Sequence, residues 1–384
     1  MSQKIKLGMV GGGQGAFIGA VHRIASRIDD RYELVAGAFS SNPEKSIASG
    51  KELGINEDRN YSNYEEMVEK ESIREDKIDV VAIVTPNHMH HPISISFMNK
   101  GFNIICDKPL AMNLKECEEL VQMRKENDVI FALTHNYTGY PMIRQARAMC
   151  DQGDLGNIRI IQTEYAQDWL TQDLENQQDS GGNKQASWRT DPSQSGGGGC
   201  IGDIGTHAFN LLRFITRLQP HQISAELTSF VSGRKLDDNA QISLRLNGGA
   251  KASIWSSQIA PGNENHLQIR IYGEKGGLEW CQEDPNYLYF TQYGHPKQKI
   301  TRGGAGALSA ANEVSRIPPG HPEGYLEGFA NIYSDVANAL IDKKNNEYDS
   351  SKYHYPVVED GLEGIRFIER SIASSNSDSS WINF

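Results

Sequence analysis

The sequence predicts an α/β protein with an N-terminal doubly wound parallel sheet of Rossmann type and a C-terminal α+β domain built on a large open, mainly antiparallel sheet. Three observations carry this expectation. Short apolar runs alternate with helix-period segments over the first ~135 residues, the pattern of βαβ units. A glycine cluster follows the first apolar run and opens the first helical segment. Beyond about residue 150 the strand-like stretches lengthen and succeed one another through short turns such as "NGG".

Taken in order, "IKLGMVG" reads as the first strand. It is followed by "ELVAGAFS" (33–40), "VVAIVTP" (80–86), "NIICDKP" (103–109) and "VIFALTHN" (129–136), each too short and too apolar for a surface helix. Between them, "FIGAVHRIASRI" spaces Phe17, Val21, Ile24 and Ile28 by three or four. "NLKECEELVQMRKEN" does the same with Leu114, Cys117, Leu120 and Met123. Residues 1–136 form the first expected domain and residues 137–384 the second, whose C-terminal helices can pack back on the first. The second domain's strands are expected in "IRIIQTEYAQDW", "HQISAELTSFV", "AQISLRLNGGAKASIWSSQI" and "HLQIRIYGEKGGLEW". In "KASIWSSQI", Ala252, Ile254 and Ser256 face one way and Ser253, Trp255 and Ser257 the other. Neither face looks charged, which is expected to mark an interface between subunits. The polar, Gly/Ser-rich "QDLENQQDSGGNKQASWRTDPSQSGGGG" is too long for an ordinary connection and is expected to be a mobile loop or a lid. No internal repeat is visible.

Composition removes several function classes. With 38% hydrophobic and 23% charged residues in 384, the chain is an ordinary globular protein of about two domains. A net charge of −11 and the lack of any Lys/Arg run argue against nucleic acid. No run of 18 apolar residues suggests a membrane span, and the N-terminus lacks the pattern of a secretion signal, so the expected location is cytoplasmic. Cys106, Cys117, Cys150, Cys200 and Cys281 show no CxxC or other metal-ligand spacing. They read as reduced thiols, and no metal is expected.

In "VGGGQGAFIGAVH" the turn between strand and helix lacks Cβ atoms, so backbone N–H groups at the helix start can approach a pyrophosphate. Gly11, Gly12 and Gly13 belong to it. The third glycine of the fingerprint has two registers, Ala16 directly or Gly19 after a delay. The usual acidic ribose reader at the end of the second strand is missing, since "AFSSNPEK" has no Asp or Glu before Glu44. Ser40 and Ser41 can hydrogen-bond a 2′-phosphate and Lys45 can supply charge, which tilts the expected cofactor, NAD or NADP, slightly toward NADP. An exposed helix start with Pro43 at its first position is the plain alternative. "TPNHMHHP" (85–92) and "CDKPL" (106–110) fall at the C-terminal ends of parallel strands, where open α/β sheets bind ligands.

The glycine turn, "TPNHMHHP", "DKPL" and the later "GGGCIGDIGTHAFN" together resemble the Gfo/Idh/MocA oxidoreductase family, with glucose-fructose oxidoreductase, inositol dehydrogenases and several sugar dehydrogenases among its members. The likeness covers nearly the whole chain, including "HPEGYLEGFANIY" and "VVEDGLEGIRFIERS". It implies that Lys108, in D-K-P rather than the family's E-K-P, points at the oxygen being interconverted, with Pro109 fixing the local backbone. An ammonium there stabilises a developing alkoxide. It implies that Asp203 and His207 approach the substrate hydroxyl. Four residues apart, they share one face of a helical turn, and an imidazole with pKa near ~6.5 suits general-base work.

By the same resemblance Thr85, Asn87, His90 and Asn136 line the nicotinamide end of the cofactor, Asp107 keeps a charge beside it, and Trp188 with Arg189 covers the nicotinamide or reaches the phosphates. Tyr137, Gln167 and Asp168 become candidates for reading ring hydroxyls, because "EYAQDW" resembles a stretch of levoglucosan-dehydrogenase-like members. The implied activity is hydride transfer between a secondary hydroxyl of a pyranoside, anhydrosugar or inositol and NAD(P), in a homodimer or homotetramer. An NAD-dependent glycosidase acting through transient C3 oxidation and a non-catalytic dinucleotide sensor are the alternatives.

Overall fold

The structure is a computed structural model that describes residues 4–176 and 184–384. The chain forms two compact units, Met1–Gly139 with Tyr325–Leu362, and Tyr140–Gly324 with Glu363–Phe384.

The first unit holds five strands, β1 (Ile5–Gly11), β2 (Tyr32–Ala38), β3 (Val80–Val84), β4 (Asn103–Cys106) and β5 (Phe131–Leu133), in the order β2-β1-β3-β4-β5. All pairings are parallel. Strands β3 and β5 are buried along their whole length, as expected for a parallel sheet covered on both faces. Helix Phe17–Ile28 keeps the bounds read from the sequence and half of the expected face, with Val21 buried and Ile28 packed against the core. Phe17 is 68% and Ile24 39% exposed, while Val21, His22 and Ala25 are buried. The reason is the long helix Tyr325–Lys344, contributed from far along the chain, whose Phe329, Ile332, Tyr333 and Val336 join Val21, Ala25, Leu7 and Met9 in one core. A partner helix, not periodicity, chose the buried stripe.

The second unit is organised on nine strands: β6 (Ile158–Ala166), β7 (Pro220–Thr228), β8 (Asn239–Leu246), β9 (Lys251–Ser257), β10 (His266–Gly273), β11 (Gly276–Cys281), β12 (Tyr287–Gln292), β13 (Gln298–Thr301) and β14 (Ile382–Asn383). Their order is β13-β12-β11-β10-β6-β9-β8-β7-β14, antiparallel except for the β6–β9 pair. One face is buried, with Ala252, Ile254 and Ser256 inward on β9, and helix Thr206–Thr216 lies among the elements packed there. Phe209 of that helix stacks on Phe367 at 4.3 Å.

The opposite face corrects the sequence expectation of an uncharged sheet. It carries Glu164, Arg245, Lys251 and Arg270 beside Ser253 and Trp255, with an Arg270–Glu164 ion pair at 3.3 Å. Ser257, expected on that face, is buried. Lys251 opens β9 itself, but Glu164, Arg245 and Arg270 come from neighbouring strands, which a single strand's sequence does not display. The middle of the expected lid, residues 177–183, lies outside the described residues; its flanks form helices Lys184–Arg189 and Pro192–Ser195. All five cysteines are free thiols. Among the described residues no helix is long and apolar enough to cross a membrane.

Candidate active site

In the first unit, β1 ends in a turn that backbone contacts make obligatory for glycine. Gly11 and Gly12 have φ of 83° and 71°, and a Cβ on Gly11 would lie 2.8 Å from the Val84 carbonyl oxygen. A Cβ on Gly19 would lie 2.4 Å from Gly12 Cα, so turn and helix touch through hydrogen alone. That contact settles the register left open by the sequence: the third glycine is Gly19, and Ala16 is the residue preceding the helix. Arg23 Nη1 pins the turn by donating to Gly12 O at 2.6 Å.

Gly13 contributes shape rather than a donor, because its N–H is committed to Phe39 O at 3.1 Å. Ala16 has no side chain able to cap helix Phe17–Ile28, which leaves N–H groups of the helix start for an anion. The loop after β2 is self-contained: Asn42 N donates to Ser40 Oγ (3.2 Å), and Lys45 N to Asn42 Oδ1 (2.9 Å) as the cap of helix Pro43–Glu52. Ser41 and the Lys45 side chain are exposed.

At the ends of β3 and β4, Thr85, Asn87, Asp107 and Lys108 sit on adjacent strand ends, because the sheet register pairs Ile83 with Cys106. The Lys108–Pro109 peptide is cis. Asp107 Oδ1 accepts from Lys108 N (2.9 Å) and Thr134 Oγ1 (2.8 Å), so this carboxylate organises the β4 and β5 ends around the lysine. His90 departs from its expected place along the ribose. Its ring is buried, and its nitrogens face Pro109 O (2.7 Å) and Thr85 O (3.0 Å), tying the two loops together; burial lowers its pKa. Asn136 and Tyr137 are buried, the latter edge-on to Tyr325 at 6.4 Å. The buried atoms Thr85 Oγ1 and Asn136 Nδ2 have no hydrogen-bond partner among the described residues, a deficit that a polar ligand would repair. The glycine cradle, the uncapped helix start and these two atoms fit a dinucleotide.

In the second unit, His207 enters at the start of helix Thr206–Thr216, and it is buried with its ring 6.2 Å from that of Tyr165. The preceding turn Ile201–Gly205 is π-helical, wider than the α-turn that the four-residue spacing of Asp203 and His207 suggested. Asp237, distant in sequence, explains the geometry: its buried carboxylate accepts from Gly199 N (2.6 Å) and Ile201 N (2.9 Å), capping the turn from outside. Asp203 Oδ2 accepts from Arg189 Nε (3.2 Å) and Gln258 Nε2 (2.9 Å).

This revises Arg189, expected at the nicotinamide or phosphates: it pairs with Asp203 and lies 4.2 Å above the Trp188 ring. Trp188 Nε1 itself donates to Gln185 Oε1 at 3.3 Å. Gln167 is held at both ends, donating to Asn265 Oδ1 (2.8 Å) and accepting from Trp169 Nε1 (3.0 Å). Asp168 Oδ2 accepts from Gly262 N at 3.1 Å. These contacts make Gln167 and Asp168 parts of the wall before they are readers of a ligand. Sequence reasoning missed Gln258, Asn265 and Asp237; nothing local marks them, since each acts through a strand pairing or a remote loop.

Comparison with known proteins decides the affiliation. Residues 5–135 match the model of an oxidoreductase family with an NAD-binding Rossmann fold, and residues 143–279 match the GFO/IDH/MocA C-terminal domain. The chain belongs to the Gfo/Idh/MocA family. This Gfo/Idh/MocA protein is 50% identical to an oxidoreductase from Sinorhizobium meliloti of known crystal structure, over 99% of this chain and 100% of that one, with a TM-score of 0.89. It is 33% identical to an inositol dehydrogenase homolog from Azotobacter vinelandii complexed with NAD+, over 100% and 98% of the chains, with a TM-score of 0.95. The homolog's complex with NADH and myo-inositol matches at 32% identity over the same shares, with a TM-score of 0.92. An uncharacterised oxidoreductase of Bacillus subtilis, YfiI, is 34% identical over 100% of this chain and 98% of its own. The protein is thus an oxidoreductase of an NAD-binding family.

Proposed function

We propose that this protein oxidises a ring secondary alcohol of a cyclitol or pyranose-like sugar with NAD. The observation that carries the reading is the D-K-P segment at the end of β4, where the Asp107 carboxylate, held by Lys108 N and Thr134 Oγ1, fixes Lys108 on the strand end next to Thr85. The full-length likeness to a homolog holding NADH and myo-inositol supports the substrate class.

Lys108 steadies the substrate oxygen as its proton leaves, an electrostatic role that strengthens as water is excluded. His207 accepts that proton, and Asp203, held by Arg189 and Gln258, keeps a carboxylate on the same helical segment. When bound, the nicotinamide supplies the hydride acceptor. Gly11, Gly12 and Gly19 let the dinucleotide approach the backbone, and Thr85 and Asn136 offer it hydrogen bonds. The slight tilt toward NADP gives way to NAD, the cofactor in both complexes of the Azotobacter vinelandii homolog, with NADP tolerated because no carboxylate guards Ser40. Self-association through the charged open face of the second sheet belongs to the same proposal, and a monomer by light scattering at micromolar concentration would remove it.

The test of the activity is NAD and NADP reduction across inositols, sugars and glycosides, with product analysis. Net NADH formation with an inosose or ketosugar product is expected. Release of free sugar without net cofactor reduction would replace the dehydrogenase with a glycosidase, and tight NAD binding without turnover on any polyol would leave a sensor.

A further inference from the structure

The open face of the second sheet brings His266 beside Cys281 and Glu283, which lie about one strand further along the sequence. Register pairs Gln268 on β10 with Cys281 on β11 and with Glu164 on β6. His266 lies two residues before Gln268 and so projects from the same face, diagonal to Cys281 on one side and to Glu164 on the other. After β11 the chain turns, Asp284 N donating to Cys281 O at 3.3 Å, and Glu283 comes back over the strand ends. His266 Nδ1 consequently lies 3.3 Å from Glu283 Oε2 and 3.8 Å from Cys281 Sγ, and all three atoms lie within 4.8 Å of one another.

Those separations can be compared with a coordination sphere. Tetrahedral zinc with bonds of ~2.0–2.3 Å sets nitrogen and oxygen ligands ~3.3 Å apart and nitrogen and sulfur ~3.6 Å apart. Two edges of the triangle already match, and the third closes by movement of Glu283, the most exposed of the three. The surroundings match as well. A metal-bound imidazole commonly gives its other ring nitrogen to a carboxylate. Here His266 Nε2 lies 3.4 Å from Glu164 Oε1 and 3.3 Å from Gln268 Oε1. The other oxygen of Glu283 accepts from Asn265 N at 3.0 Å, which turns Oε2 toward the imidazole. A His–Cys–Glu donor set suits zinc and its neighbours and disfavours magnesium and calcium, which prefer oxygen throughout.

We propose that His266, Cys281 and Glu283 bind a divalent transition metal of zinc type, with Glu164 orienting the histidine and a water in the fourth position. The site uses none of the residues assigned to catalysis, though Asn265 joins Glu283 to Gln167, and it does not rest on the proposed reaction. Sequence spacing hid it, because Cys281 and Glu283 are near neighbours but His266 reaches them only through the β10–β11 register.

The test is titration of the reduced full-length protein with Co2+. A thiolate-to-cobalt charge-transfer band should saturate at one equivalent, disappear on adding Zn2+, and be unaffected by Mg2+. Cys281→Ser should abolish the band, and His266→Gln and Glu283→Gln should each weaken Co2+ binding at least tenfold. Glu164→Gln should weaken it roughly 10- to 100-fold, as loss of a carboxylate behind a metal-bound histidine does. Cys150→Ser, at the other half-buried cysteine, should change nothing. Circular dichroism of each variant checks that the sheet is intact. Absence of the band in the wild type at a large excess of Co2+, or its survival in a folded Cys281→Ser variant, would leave an ordinary histidine–carboxylate pair and overturn the proposal.

Discussion

Two turns lead into helices that carry candidate functional groups, and they are built from opposite materials. Gly11–Gly19 is shaped by backbone against backbone: a Cβ on Gly19 would meet Gly12 Cα, and one on Gly11 the Val84 carbonyl oxygen. The turn before His207 is shaped by side chains from elsewhere: Asp237 caps it, and Arg189 and Gln258 hold Asp203. A backbone-built turn leaves its signature in the local sequence, because only glycine fits. A side-chain-built turn leaves almost none, because its determinants sit on other elements.

The comparison can be broken experimentally, most severely at the reacting end. Lys108→Ala should lower kcat by about 10³-fold or more with dinucleotide affinity nearly unchanged, as expected for a charge aimed at the substrate oxygen. Normal turnover in that variant would remove Lys108 from the chemistry.

In the backbone-built turn, Gly19→Val places atoms where Gly12 Cα stands, and it should destabilise the protein by roughly 3 kcal/mol or more while eliminating NAD binding. Chemical denaturation and cofactor fluorescence titration read the two effects. Wild-type values in both would mean the turn has slack that the contact distances deny.

His22, on the helix that follows that turn, tests the same region through pH. Its ring is buried, Nδ1 lies 2.8 Å from Tyr333 Oη, and burial lowers its pKa to about 4. The unfolded chain, with pKa near 6.5, therefore binds the proton first as pH falls. Stability from this group is complete above about pH 6.5 and declines toward pH 4, by roughly 3 kcal/mol in all at ~1.4 kcal/mol per unit. The urea midpoint of His22→Gln should lack this part of the acid slope. Parallel curves for variant and wild type would place the acid sensitivity elsewhere.

The side-chain-built turn should yield more gently. Asp237→Asn keeps the shape but turns one of the two carboxylate oxygens, which accept separately from Gly199 N and Ile201 N, into an NH2 donor, costing about 1–3 kcal/mol. Because the turn carries Asp203, kcat should fall more than NAD affinity. A variant with unchanged stability and kcat would show that the π-helical turn holds itself.

The smallest effect sharpens cofactor choice. Ser40→Asp introduces a carboxylate at the end of the second strand and should shift kcat/KM about tenfold toward NAD over NADP, since a like charge within ~4–6 Å of a phosphate is unfavourable. An unchanged ratio would mean Ser40 does not face the 2′ position.

Much of the first unit was legible because its signals are local. Five apolar runs became five parallel strands, and a glycine cluster between strand and helix became the turn. The second unit announced its longer strands, but not β12, β13, β14 or the helix Pro141–Gln152. In the candidate site the residue types were readable and their partners were not. Arg189 reads as a cofactor contact until Asp203 is seen beside it, and His90 as a ligand-facing ring until two carbonyls are seen at its nitrogens.

The sequence by itself determined where glycine is required, where strands end in "TPNH" and "DKPL", and which families of chemistry those ends allow, because these are properties of neighbouring residues. Tertiary structure alone decided that Gly19 and not Ala16 closes the fingerprint, that His22 rather than Phe17 or Ile24 joins Val21 in facing the core, and that His266 meets Cys281 and Glu283. Each of those outcomes depends on a second segment arriving at a particular register or packing angle. Local periodicity places a side chain on a face, but only the packed partner fixes what that face meets.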